Sequence, residues 1–262
     1  MSATQPQVQM GYPDFWPVIL RRYGRFFDLA QQLGPTINDV FSQSHTEPLH
    51  KVCRQLSKMV ANSVGAVLLL GVNGYGVDAI KIVRSMFEAA VTVRYLCKHP
   101  DEFVDYSDFH FIVAMKRYRY MEKYAPEQLK NVTQDALKHG KQGFAAVVPK
   151  FTTDGRVRGR WSKKPFSQLC ADIDLEEHYL TFYEFASNIT HANISGLMAQ
   201  ADPQPGVMDV DIAPSEQFVD MALRTAHFAF VMSISDYITL ARPEKQGIAD
   251  RIDREFVAVW KD

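Results

Sequence analysis

Little in this sequence announces a chemistry. Its three cysteines, Cys53, Cys97 and Cys170, lie too far apart for a Cys-x-x-Cys pair, which excludes the common zinc and dithiol motifs and suits reduced thiols in the cytoplasm. There is no Gly-x-x-x-x-Gly-Lys loop and no Gly-x-Gly-x-x-Gly turn, so the usual backbone cradles for nucleotide phosphates are missing and no cofactor is implied. No His-x-x-x-His pair places two metal ligands on one helical face, and a metal centre is not expected. Residues 1–13 have neither the basic flank nor the apolar stretch of a secretion signal and read as a polar tail. The most apolar stretch, residues 60–72, contains Asn62 and Ser63 and falls short of the roughly 20 residues that cross a bilayer. It reads as a helix buried in a core, and no membrane partner is expected.

Charge of one sign is lacking too. Lys and Arg number 29 against 30 Asp and Glu, a formal net charge of -1, so no overall field draws the molecule to a polyanion. Anion binding must therefore come from a local patch.

What the chain does have is apolar material, 47% hydrophobic with 12% aromatic residues, enough for one large core. The pattern predicts an all-α, single-domain multi-helix bundle over 14–262, with loop insertions near 149–165 and 195–214. A first helix is expected from an Asp14 N-cap to Leu33, stopped by Gly34-Pro35, and a second over 48–72. Asn73-Gly74-Tyr75-Gly76 is a tight turn, so the next helix, running to His99-Pro100, should lie antiparallel to the second. Further helices are expected from Pro100 to Tyr124, from Pro126 to a stop at Gly140, from a capping box at Asp174 and Glu177, from a Ser215 cap to Ala241, and over 247–260.

Polar residues at helical spacing inside these apolar helices are the candidates for chemistry. Arg84 and Glu88 stand one turn apart, with Tyr95 about 20° from Arg84 on the same face. Tyr106, His110 and Arg117 repeat the theme in the next helix, and Tyr118, Tyr120 and Tyr124 interleave with cations there. Tyr183, Ser187 and His191 step at i, i+4 and i+8 and so share a stripe; Ser187 and His191 are a nucleophile and a base by residue type. Each group has a structural reading as well, an internal ion pair or hydrogen-bond network that fixes helix register. A second feature is basic: Lys150, Arg156, Arg158, Arg160, Lys163 and Lys164 surround Trp161 with the single acid Asp154, a composition that can hold phosphates or be a solvated loop or hairpin.

The segments RSMFEAAVTVRYLCKHP, RWS and YEFASNITH together resemble a bacterial family known only as a domain of unknown function, over roughly residues 49–237. The resemblance marks Arg84, Glu88, Tyr183, Ser187 and His191 as recurring polar positions and implies no activity. Arg94-Tyr-Leu-Cys-Lys-His99 also resembles the Arg-to-His spacing of HEPN-like helical ribonuclease domains of toxin and defence systems, with Tyr95 and Pro100 departing from their pattern. Two functions follow as expectations. One is a hydrolase of RNA or another phosphodiester, with Arg84 steadying an anion, His191 or His110 moving a proton, and Arg156, Arg158, Arg160 and Trp161 guiding substrate. The other is a non-catalytic helical interaction or ligand-binding protein with a structural polar core, and in either case homo-oligomers are compatible with the sequence.

Overall fold

A computed structural model describes residues 11–201 and 214–261. In chain order the elements are α1 (Trp16–Gln32), α2 (Gly34–Phe41), α3 (Pro48–Val72), α4 (Gly76–Lys98), α5 (Phe103–Tyr124), α6 (Gln134–Val147), β1 (Thr152–Thr153), β2 (Arg156–Val157) and α7 (Phe166–Ala171). There follow α8 (Glu176–His178), a π-helical turn at Tyr179–Tyr183, α9 (Glu184–Thr190), α10 (Ile194–Met198), α11 (Val219–Ala241) and α12 (Gln246–Val259). The fold is all-α with one two-stranded hairpin among the described residues. Contacts group the chain into two units, residues 1–98 with 170–262, and residues 99–169.

In the first unit α3, α4 and α11 pack against one another. Helix α11 buries residues on nearly every side, from Val219 and Leu223 through Phe230 and Ile234 to Tyr237, as a helix apolar all round must. Helix α4 buries Ile80, Val83, Met86, Phe87, Ala90 and Val91, and each fully buried large side chain contributes about 1.5–3 kcal/mol. The α3–α4 turn forms as its residues dictate: Gly74 takes φ +75, and Asn73 Oδ1 accepts hydrogen bonds from the Tyr12 N–H (2.8 Å) and the Trp16 indole (2.9 Å). Gly76 admits the approach to α11, because a Cβ there would lie 2.1 Å from the Gln217 carbonyl oxygen.

The second unit pairs α5 with α6 around Ile112, Val147 and Phe151, with Phe109, Phe111, Phe144 and Val148 packed alongside. Its hairpin pairs Thr152 with Val157 and Thr153 with Arg156 across Asp154-Gly155, both at positive φ, the residues a two-residue hairpin turn selects.

Several local expectations give way to packing. Gly34-Pro35 ends α1 but opens α2, since proline is tolerated in a first turn. Asp14 sits inside a short 3-10 turn and caps nothing. Helix α6 starts later, on a Thr133 cap, and runs through Gly140 because Phe144 and Val147 beyond it have a core to join. Asp174 takes φ +63 and its carboxylate reaches Lys98 Nζ at 3.1 Å, so the expected capping box does not form. Ser215 bonds back to the α3–α4 turn, and α11 begins four residues later. Helix α10 occupies part of the segment expected as a loop over 195–214; residues 202–213 of that segment and 1–10 of the expected tail lie outside the described residues.

The apolar stretch of α3 is not sealed in the core. Cys53, Ser57, Val60, Val67 and Gly71 are buried, yet Met59 and Leu69 stand 49% and 68% exposed. Among the described residues α3 is the one helix long and apolar enough to cross a membrane, and 28% of its most apolar window is buried.

Candidate ligand-binding site

Arg84 and Glu88 meet on α4 as the helical spacing requires, with Nη2 3.1 Å from Oε1. The third member arrives from 99 residues along the chain. Tyr183, at the end of the π-turn, accepts a hydrogen bond from Arg84 Nη2 (2.8 Å) and donates one to Glu88 Oε1 (2.5 Å). The guanidinium lies over the phenol ring at 4.9 Å, and Tyr179 stacks on the same ring at 5.3 Å. Burial, then the bond to Glu88, pushes the Tyr183 hydroxyl above its ordinary value, so it stays a protonated donor at neutral pH. Arg84 Nε is buried without a hydrogen-bond partner. The three side chains brace α4 against the π-turn, and each has its charge or hydroxyl engaged.

Ser187 and His191 do not join them. Helix α9 ends at Thr190 and His191 is the exposed C-cap, about 12 Å along the helix from Tyr183 at 1.5 Å per residue. Ser187 is half-buried, and no side-chain hydrogen bond links it to His191. His110 lies exposed on α5, in the other unit, with its ring 5.2 Å from that of Phe111. Tyr95, placed on the Arg84 face by the spacing, is fully buried.

The basic segment is partly neutralised. Lys150 Nζ sits 2.6 Å from Asp105 and 3.0 Å from Asp108, and Arg158 lies over the Phe151 ring at 4.8 Å with Nη2 3.9 Å from Asp105. Arg158 is therefore a packing residue of this unit. Trp161 meets Tyr106 edge-on at 5.4 Å, and Arg160 Nη2 bonds the Lys163 carbonyl. Arg156, Arg160 and Lys163 remain exposed.

A further concave feature stands elsewhere, where α12 lies along α11. It is an open cleft of about 810 Å³ floored by Phe228, Val231, Met232, Val257 and Trp260 and bordered by Arg94, Arg224, Arg254 and Lys261, with Asp250 and Asp253 as its acids. Trp260 is held in place by donating its indole N–H to His227 Nδ1 and by Arg224 over its ring at 4.2 Å. Burial pulls His227 down to about 3, so it remains a neutral acceptor. At the inner end Arg94 Nε bonds Asp236 Oδ2 at 2.9 Å. Burial raises the Asp236 carboxyl above its ordinary value, opposed by the Arg94 charge. His178 stacks on Phe228 at 4.3 Å, and its Nδ1 is buried without a partner.

This cleft was not legible in the sequence. Arg94 entered only through its spacing to His99, and α12 read as a short amphipathic helix; a Trp-Lys pair ending that helix was the one available signal. Among the described residues no group of three His, Cys, Asp or Glu side chains is placed to hold a metal ion.

No curated protein and no solved structure matches the chain. A family model does match over residues 50–206, more than half the length and spanning α3 to α10, which includes Arg84, Glu88, Tyr183, Ser187 and His191. By that match the chain belongs to the family described as a family of unknown function, DUF5677.

Proposed function

We propose that this protein is a non-catalytic, helical ligand-binding protein, in which Arg84, Glu88 and Tyr183 form an internal brace and the α11–α12 cleft receives the ligand. One observation carries the reading. The polar side chains best placed for catalysis satisfy one another, Arg84 to Tyr183 to Glu88, and a raised phenol bonded to a carboxylate is a poor base. The cleft has the size and mixed lining of small-ligand sites, which run from about 300 to 1,000 Å³.

Hydrolysis of RNA or another phosphodiester is the second reading, favoured by the exposure of His191 one turn beyond Ser187 and of Arg156 and Arg160 on the hairpin segment. The two part in a turnover assay. The binding reading expects no cleavage of RNA or simple phosphodiesters by the wild-type chain. Cleavage that falls about 10²- to 10⁴-fold in His191→Ala, with the melting temperature unchanged, would replace it with the hydrolase.

A further inference from the structure

We infer that the ligand of the α11–α12 cleft is an amphipathic anion, a single aliphatic chain ending in one carboxylate-type head group; the inference rests on the reading of the cleft as a ligand site. The floor is hydrocarbon: Phe228, Val231, Met232, Val257 and Trp260. Each of its two rings has one face occupied, Phe228 by His178 at 4.3 Å and Trp260 by Arg224 at 4.2 Å. An aliphatic chain needs no ring face to stack on, only the apolar surface that these five side chains supply. Its lining runs along α12 from Gln246 to Val257, three turns of helix, and on to Trp260 and Lys261.

The border selects the head group. The lining carries four cations and two acids. Arg224 is engaged by Asp220 at 2.8 Å and Arg94 by Asp236 at 2.9 Å, each through Nε, one of the five N–H donors a guanidinium carries. Arg254 and Lys261 have no ion-pair partner among the described residues, and both are exposed. Asp250, which accepts from the neutral Gln246 amide at 3.1 Å, and Asp253 both keep their charge, so the selection rests on the remaining guanidinium N–H donors and the Lys261 ammonium, which need an acceptor. An anion gains at this border, and an ammonium of the same chain length meets the cations instead.

Titration calorimetry on the full chain with three probes of equal tail, dodecanoate, dodecyltrimethylammonium and dodecyl maltoside, each below its micelle concentration, tests the head group. Trp260 emission, read in a Trp16→Phe, Trp161→Phe background, reports whether binding occurs at this cleft. Dodecanoate should bind at one site about tenfold or more tighter than the ammonium and shift Trp260 emission. Arg254→Glu with Lys261→Glu, both on exposed positions, should remove that preference while the neutral maltoside binds as before. Equal binding of carboxylate and ammonium, or an unchanged preference in the charge-reversed protein, overturns the anion and leaves the ligand site standing. If none of the three binds and Trp260 emission stays fixed, the cleft is not a ligand site and both readings fall.

Discussion

Arg84 and Arg94 stand on one helix, nearly three turns apart, and do opposite things. Arg84 is 15% exposed at its side chain and closes a ring of three groups, with a carboxylate one turn along its own helix and a phenol from the π-turn. Arg94 bonds Asp236 on α11 and lines an open cleft. The same residue type on the same helix is a brace where a carboxylate and a phenol close round it, and a border where one carboxylate holds Nε and the guanidinium lines a cleft. What separates structural from ligand-facing polarity here is the presence of a second layer of side chains.

The comparison can be broken at several points. The largest effect belongs to the cleft side, through His227 beneath Trp260. Its folded-state value of about 3 lies below the ordinary 6.5, so the unfolded chain takes up this proton first as pH falls. Stability is then fully present above about pH 6.5 and declines between there and pH 3, by roughly 3 kcal/mol at pH 4 at 1.36 kcal/mol per pKa unit. Urea unfolding at pH 7 and pH 4 should show the drop, and His227→Gln, which keeps an acceptor for Trp260, should flatten it. An unchanged slope in that variant would assign the acid sensitivity elsewhere.

Next in size is the brace. Arg84→Ala leaves Glu88 and Tyr183 without their cation and should cost about 2 kcal/mol, read as a lower denaturant midpoint, with no loss of cleft binding. Loss of binding with stability intact would invert the assignment of the two arginines. Combining Arg84→Ala with Tyr183→Phe should show a coupling energy of about 1 kcal/mol, because both changes break the same hydrogen bond at 2.8 Å. Strict additivity would mean that the ring of three is not a unit. The smallest effect is expected on the hairpin segment, where Arg156→Ala with Arg160→Ala should move stability by less than about 0.5 kcal/mol, as exposed surface changes do. Arg158→Ala should cost more than that pair, since its guanidinium covers Phe151.

These contrasts follow the line between local and tertiary information. The sequence by itself determined the helical class, the α3–α4 turn through Asn73 and Gly74, and the shared face of Arg84 and Glu88, and it left the segment around Gly155 open between loop and hairpin. Each depends on backbone periodicity or turn stereochemistry, which residues a few positions apart dictate. Only the tertiary structure decided that Tyr183 would meet Arg84, that Ser187 and His191 would stand away from them, that Lys150 and Arg158 would pair with Asp105, and that α6 would run through Gly140. Asp174 makes the reason concrete. As a sequence it offers an N-cap, but Lys98 at the end of α4 competes for the same carboxylate at 3.1 Å, and helix period carries no record of which neighbour a fold will bring close. The cleft is the extreme case: its border draws on α4, α11 and α12, three segments whose adjacency arises from burying their apolar faces together.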